Sequence, residues 1–115
     1  MSMVRPALAT ALAVALFTAT PLLAAGQGDA KRGADVFAAQ KCSVCHSIAG
    51  KGGKSSPLDG VGAKLSADDL RKWITSPVEM TAKSKSTKKP PMPAKWANLP
   101  AADVDALVAY MASLK

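Results

Sequence analysis

The clearest helical period lies near the C-terminus, where Val104, Leu107, Val108, Met111 and Leu114 form one apolar stripe. It predicts a helix from about Pro100 to Leu114, with Pro100 in the first turn and Asp103 and Asp105 near the positive end of the dipole. A shorter stripe of Leu70, Trp73 and Ile74 follows the cap-competent Ser66 and the first-turn acids Asp68 and Asp69, and Ser76-Pro77 closes it. A third helix is expected from about Ala30 to Gln40, with Asp29 as N-cap and Gly33, Ala34, Phe37 and the stem of Lys41 on one face. Gly33 costs such a helix about 1 kcal/mol relative to alanine. That cost makes sense where a second helix crosses closely, and Tyr110 is placed to pack against Gly33 and Phe37.

Between these stripes the period vanishes. Ser47 to Lys54 is polar and glycine-rich, residues 55–62 stay irregular around Pro57, and Val78 to Ala97 shows no repeat of apolar positions. No strand-like alternation, internal repeat or glycine-rich phosphate loop is visible, so the expected fold class is all-α, with three or four helices joined by long loops.

The N-terminus has a different pattern. Met1 to Arg5 is short and basic, Ala7 to Ala19 is alanine-rich and apolar, and Pro21 precedes the small residues Ala24-Ala25-Gly26. This is the layout of a cleavable secretory signal peptide over residues 1–25, leaving 26–115 as one domain exported to the periplasm. The alternative is an uncleaved anchor, since the uncharged run Ala7 to Ala25 approaches the roughly 20 residues that span a bilayer. Thr10, Thr18, Thr20 and Pro21 make it a poor span, so no stable membrane insertion is expected after cleavage.

Composition sharpens the picture of the exported part. Loss of Arg5 leaves fourteen basic against eight acidic side chains, about +6. Only Phe37, Trp73, Trp96 and Tyr110 remain as aromatics in roughly 90 residues, a size at which a core alone gives marginal stability. Something other than side chains is expected to fill the middle.

Both cysteines and the only histidine fall in Cys42-Ser43-Val44-Cys45-His46. Such a C-x-x-C-H motif admits three chemistries: thiol addition to the two vinyl groups of a haem with the imidazole beneath the iron, a disulfide, or half of a zinc site. A disulfide would close too short a loop to staple a domain. A structural zinc site needs four donors and the motif offers three. A thiol exchanger would need a βαβ setting that the pattern lacks. Covalent haem requires a second axial ligand, an acceptor for the far imidazole nitrogen and an apolar box. Met92, held between Pro91 and Pro93, is the best-framed second ligand; Met80 has no such frame. A carbonyl in the segment around Pro57 is the expected acceptor.

The ordered series of Gly33 and Phe37, Cys42-Ser43-Val44-Cys45-His46, Pro57-Leu58-Asp59-Gly60, Leu70-Arg71-Lys72-Trp73-Ile74, Met92-Pro93 and Leu107-Val108-Ala109-Tyr110-Met111 resembles the small class I c-type cytochromes across essentially all of 26–115. The resemblance implies a cytochrome c-like fold around one covalent haem c, with thioethers from Cys42 and Cys45, His46 proximal and Met92 distal. It also implies N- and C-terminal helices crossing at Gly33, Phe37 and Tyr110. Two features depart from the family pattern. Phe37 lies five residues before Cys42, where many relatives have four. Pro57 directly precedes Leu58, which leaves the acceptor for His46 open between the Ser56 and Pro57 carbonyls.

A six-coordinate iron has no position for substrate, so the expected role is a soluble one-electron carrier rather than an enzyme. Trp73 or Trp96 offers an N–H to the cofactor's carboxylates or the ligand sulfur. Lys83, Lys85, Lys88, Lys89 and Lys95 surround the Met92 loop and are expected to steer an acidic docking face of a redox partner protein. Nucleic acid is not expected, given export and no recognition motif. The alternatives are a haem subunit of a larger oxidoreductase, or a haem sensor or peroxidase-like protein should Met92 be labile.

Overall fold

The computed structural model describes residues 14–16 and 24–115. The expected signal segment, 1–25, and its alternative as an anchor lie almost entirely outside the described residues. No helix among those described is long and apolar enough to cross a membrane.

The order of elements is α1 (Ala24–Ala39), a 3-10 turn (Cys42–Val44), β1 (Ser47–Ile48), β2 (Lys51–Gly52), α2 (Val61–Lys64), α3 (Ala67–Thr75), α4 (Pro77–Ser84), a second 3-10 turn (Ala94–Trp96) and α5 (Ala101–Ala112). The all-α expectation holds, with five α-helices among the described residues in place of three or four and one antiparallel hairpin that pairs Ser47 with Gly52 and Ile48 with Lys51. That hairpin was not expected, because strands of two residues are too short to show an alternation.

The first helix starts earlier than expected. Asp29 lies inside α1 and is not its N-cap. Ala24 and Ala25 are strong helix formers, and Gly26 and Gly28 at about 1 kcal/mol each do not stop a helix as a proline would. The C-terminal helix expected from Pro100 to Leu114 is observed as Ala101–Ala112, with Pro100 as its N-cap. Its last residues leave the helix so that the Leu114 carbonyl accepts from Gly62 N–H at 2.8 Å, which docks α2 on the end of α5.

The α3 boundaries follow the sequence closely. Ser66 Oγ accepts from Asp69 N–H at 3.1 Å, satisfying a first-turn donor, and the helix stops at Thr75. Pro77 then begins α4, an element absent from the sequence reading. Proline at N1 starts a helix as readily as it ends one, because its missing N–H needs no partner there. Pro77 and Met80 are the buried residues of α4, while Val78 is 69% exposed, so there is no stripe to find.

Phe37, Leu70, Ile74, Val104, Leu107, Val108 and Met111 form one buried cluster between α1, α3 and α5. At its centre α1 and α5 cross with almost nothing between them. A Cβ on Gly33 would collide with the Ala106 carbonyl and with Cβ of Tyr110. One turn on, the Phe37 and Tyr110 rings meet edge-to-face, 5.7 Å between centroids at 70°. Two ion pairs on the rim, Arg32–Asp103 at 2.8 Å and Arg71–Asp105 at 2.7 Å, tie α5 to α1 and α3. Exposed pairs of this kind contribute about 1 kcal/mol or less, so they set register more than stability.

Gly33→Ala therefore tests the crossing by its sign. Helix propensity alone predicts a gain of about 1 kcal/mol, whereas overpacking against a backbone carbonyl predicts a net loss of about 2 kcal/mol. Guanidinium unfolding of the purified haem-loaded protein is expected to show the loss; a gain would mean that the helices do not touch there.

Candidate cofactor site

Lys41 turns the chain out of α1 in a left-handed conformation, φ 56°, delivering it directly into the motif. Cys42 O then accepts from both Cys45 N–H at 3.3 Å and His46 N–H at 3.0 Å, so the pentapeptide is a tight turn around one carbonyl. Cys42 and Cys45 are both free thiols, and both are half-buried. Burial pushes the Cys42 thiol up from its ordinary value, with a backbone hydrogen bond and the Lys95 ammonium pulling the other way. A thiol-exchange site needs the opposite shift.

His46 Nδ1 lies 2.9 Å from Ser56 O. A carbonyl only accepts, so Nδ1 carries a proton, and in the neutral imidazole the lone pair is then on Nε2. Of the two acceptors left open by the sequence, Ser56 is the one used. The segment that presents it runs beside the motif, with Ser56 N–H donating to Cys45 O at 3.2 Å and Leu58 N–H to Ser47 O at 2.9 Å. Asp59 Oδ1 accepts from Ala49 N–H at 2.7 Å.

Three residues support the motif in a role that the sequence alone does not assign to them. One is Asp59, whose partner is ten positions away. The other two are Gly52 and Gly53, where the returning chain runs directly behind the motif: a Cβ on Gly52 would meet the His46 carbonyl, and one on Gly53 the Val44 carbonyl. Gly52 also has φ 110°, a conformation that side chains rarely adopt. The Gly-Gly dipeptide is the signal in the sequence for this close approach, though by itself it indicates only a loop.

Cys42, Cys45, His46 and Met92 all line one cavity of about 800 Å³, within the range of cofactor sites. Trp73 and Trp96 form part of its wall, and Lys95 Nζ lies 4.4 Å above the Trp96 ring. Thus Trp73, expected on the core face of α3, is half-buried and turned to the cavity, while Leu70 and Ile74 are buried. Met80 is buried in α4 and does not reach the cavity; Met111 does, from α5, as part of the core. The lining holds Lys41, Lys88 and Lys95 and no carboxylate. Among the described residues no three His, Cys, Asp or Glu side chains gather to hold a metal ion, which leaves the zinc alternative without a site.

A large apolar cavity with a thiol pair, a tautomer-fixed imidazole and a thioether on its walls fits a covalent haem. The sequence model described as cytochrome c matches residues 30–115. The chain belongs to the cytochrome c family. Comparison with curated proteins and with solved structures finds no match. Family membership gives this chain a covalent haem c, a cytochrome c-like fold and a role in haem-based electron transfer with redox partner proteins.

The support behind the motif predicts unequal costs at two glycines that both have positive φ. Gly50 (φ 77°) has nothing within 4 Å of a built Cβ, so Gly50→Ala carries backbone strain alone, about 1 kcal/mol. Gly52→Ala adds a collision with the His46 carbonyl and is expected to cost about 3 kcal/mol. Denaturant midpoints of the two variants measure the difference; equal losses would mean that the hairpin does not back onto the motif.

Proposed function

We propose that this cytochrome c is a soluble one-electron carrier of the periplasm, formed by removal of residues 1–25. Cys42 and Cys45 would anchor the cofactor by thioethers, and His46 and Met92 would supply the protein ligands of its iron. The observation that carries this reading is the convergence of all four residues on one cavity, with the Nδ1 proton of His46 already committed to Ser56. Nε2 is then the nitrogen free to bind a metal.

Haem c supplies reversible one-electron exchange between Fe(III) and Fe(II). Two protein ligands leave no open position for a substrate, which is why the reading is a carrier and not an enzyme. The Met92 thioether is a soft donor and favours the reduced state. Pro91 and Pro93 restrict the backbone on both sides of it. A stiff ligand loop moves little when the electron arrives, which keeps the reorganisation small. Leu70, Ile74 and the two tryptophans keep water from the ligands.

Lysines 83, 85, 88 and 89 are exposed on and after α4, and Lys95 follows the ligand loop. With Lys41, Lys88 and Lys95 on the cavity wall and no carboxylate among its lining, this side of the molecule favours a partner with an acidic docking face. Such attraction gives fast, weak and salt-sensitive association.

Two measurements test the proposal. The oxidised wild type is expected to show the far-red thioether-to-iron band, and Met92→Ala to lose it with a fall in reduction potential. A wild type without that band excludes Met92 as ligand and revives a sensor or peroxidase-like role. Separately, the rate of reduction by an acidic redox protein is expected to fall several-fold between low and physiological salt, with the slope reduced in Lys88→Gln/Lys89→Gln. Co-purification with an oxidoreductase at high salt would instead identify a permanent subunit.

A further inference from the structure

The turn between β1 and β2 is Ala49-Gly50, with φ 52° and φ 77°. A two-residue hairpin with both φ values positive selects Asn-Gly or Asp-Gly, whose first residue tolerates the left-handed region. Alanine does not, and it is strained there. Nor can its methyl group form a local hydrogen bond. The stabilising group comes from elsewhere: Asp59 Oδ1 accepts the Ala49 N–H at 2.7 Å, a short charge-assisted bond.

This bond is the last of a short ladder. Cys45, Ser47 and Ala49 face Ser56, Leu58 and Asp59 in order, through Ser56 N–H to Cys45 O, Leu58 N–H to Ser47 O and Ala49 N–H to Asp59 Oδ1. His46 lies inside the ladder, and its Nδ1–H donates to Ser56 O, a carbonyl whose position the ladder fixes. Two rungs are backbone to backbone; the third rests on one side chain.

We propose that Asp59 is a positioning residue for His46: by holding the strained Ala49-Gly50 turn it keeps the Ser56 carbonyl where it accepts the imidazole proton. The inference rests on the reading of His46 as an iron ligand. A firm Nδ1–H···O bond raises the basicity of the imidazole and thereby favours Fe(III). Loosening the ladder weakens that donation and moves the reduction potential up.

The test uses the haem-loaded protein and reads hydrogen exchange of His46 Nδ1–H by proton NMR together with the reduction potential. In Asp59→Ala the exchange is expected to become roughly tenfold faster, reflecting loss of one hydrogen bond's net contribution, and the potential to rise. Asp59→Asn removes the same charge but keeps an acceptor oxygen, so its exchange is expected to stay near wild type. Adding Ala49→Gly to Asp59→Ala relieves the turn and is expected to bring the exchange back. Ala49→Gly alone, with Asp59 in place, is expected to slow the exchange, which keeps the idea testable should Asp59→Ala not accumulate. Exchange unchanged in Asp59→Ala, or equally fast in Asp59→Ala and Asp59→Asn, overturns the proposal while leaving His46 as ligand. If the wild type shows no resonance of an iron-bound imidazole N–H, the ligand assignment fails and this proposal with it.

Discussion

The crossing of α1 and α5 at Gly33 is the contact on which the rest of the molecule depends, because it is made backbone to side chain with no slack. α1 ends at Ala39, and only Gln40 and the left-handed Lys41 separate it from Cys42. The motif is therefore carried on the end of a helix whose depth is set by the Ala106 carbonyl. α5 in turn supplies Leu107 and Met111 to the cavity wall. A change of a few tenths of an ångström at the crossing would be passed to the cysteines through an element too stiff to absorb it. Interiors are packed as densely as crystals, so such a shift has nowhere to dissipate.

The far side of the cavity is built differently. From Ser47 to Gly60 and again from Ser86 to Pro93 the chain is nearly devoid of helix, and its stiffness comes from individual hydrogen bonds, positive-φ residues and prolines. Few of these backbone segments bury apolar groups of their own. A family member carries a haem where this domain would otherwise need a larger core, and the shortage of aromatics is consistent with that. Apolar surface on the cavity wall gains its hydrophobic stabilisation only when the cofactor covers it, at about 25 cal/mol per Å². A covalent haem stays on the chain when it unfolds, so its contribution to stability comes from burial in this cavity and not from mass action.

How far the sequence reveals this depends on whether a feature is periodic or local. α3 and α5 were legible because Leu70 and Ile74, and Val104, Leu107, Val108 and Met111, repeat at helical spacing and are buried. The crossing was legible because a mid-helix glycine needs a reason. α4 was not legible, since Pro77 reads as a stop and only Met80 follows it into the core. The hairpin was not, since its turn lacks the usual Asn-Gly and takes its support from Asp59. At the site, the motif and Met92 stand out by rarity and framing. The choice between Ser56 and Pro57 did not, because it depends on which way one peptide plane faces, and residue types do not encode that directly.

On the proposed reading the lysines around Met92 act twice. Reduction lowers the charge at the iron by one unit, so nearby cations favour the reduced state as well as attracting an acidic partner. The electron itself changes the total charge little: one unit against about +6 from the side chains of residues 26–115. At a Debye length of about 8 Å an exposed partner surface responds mainly to the nearest lysines, which are the same before and after transfer. Release after transfer therefore cannot rely on the change of charge. It must come from a small contact area and a fast off-rate, and the exposed, proline-broken segment 86–93 is suited to that: its lysines attract at a distance, and it buries little apolar surface that would hold the complex together.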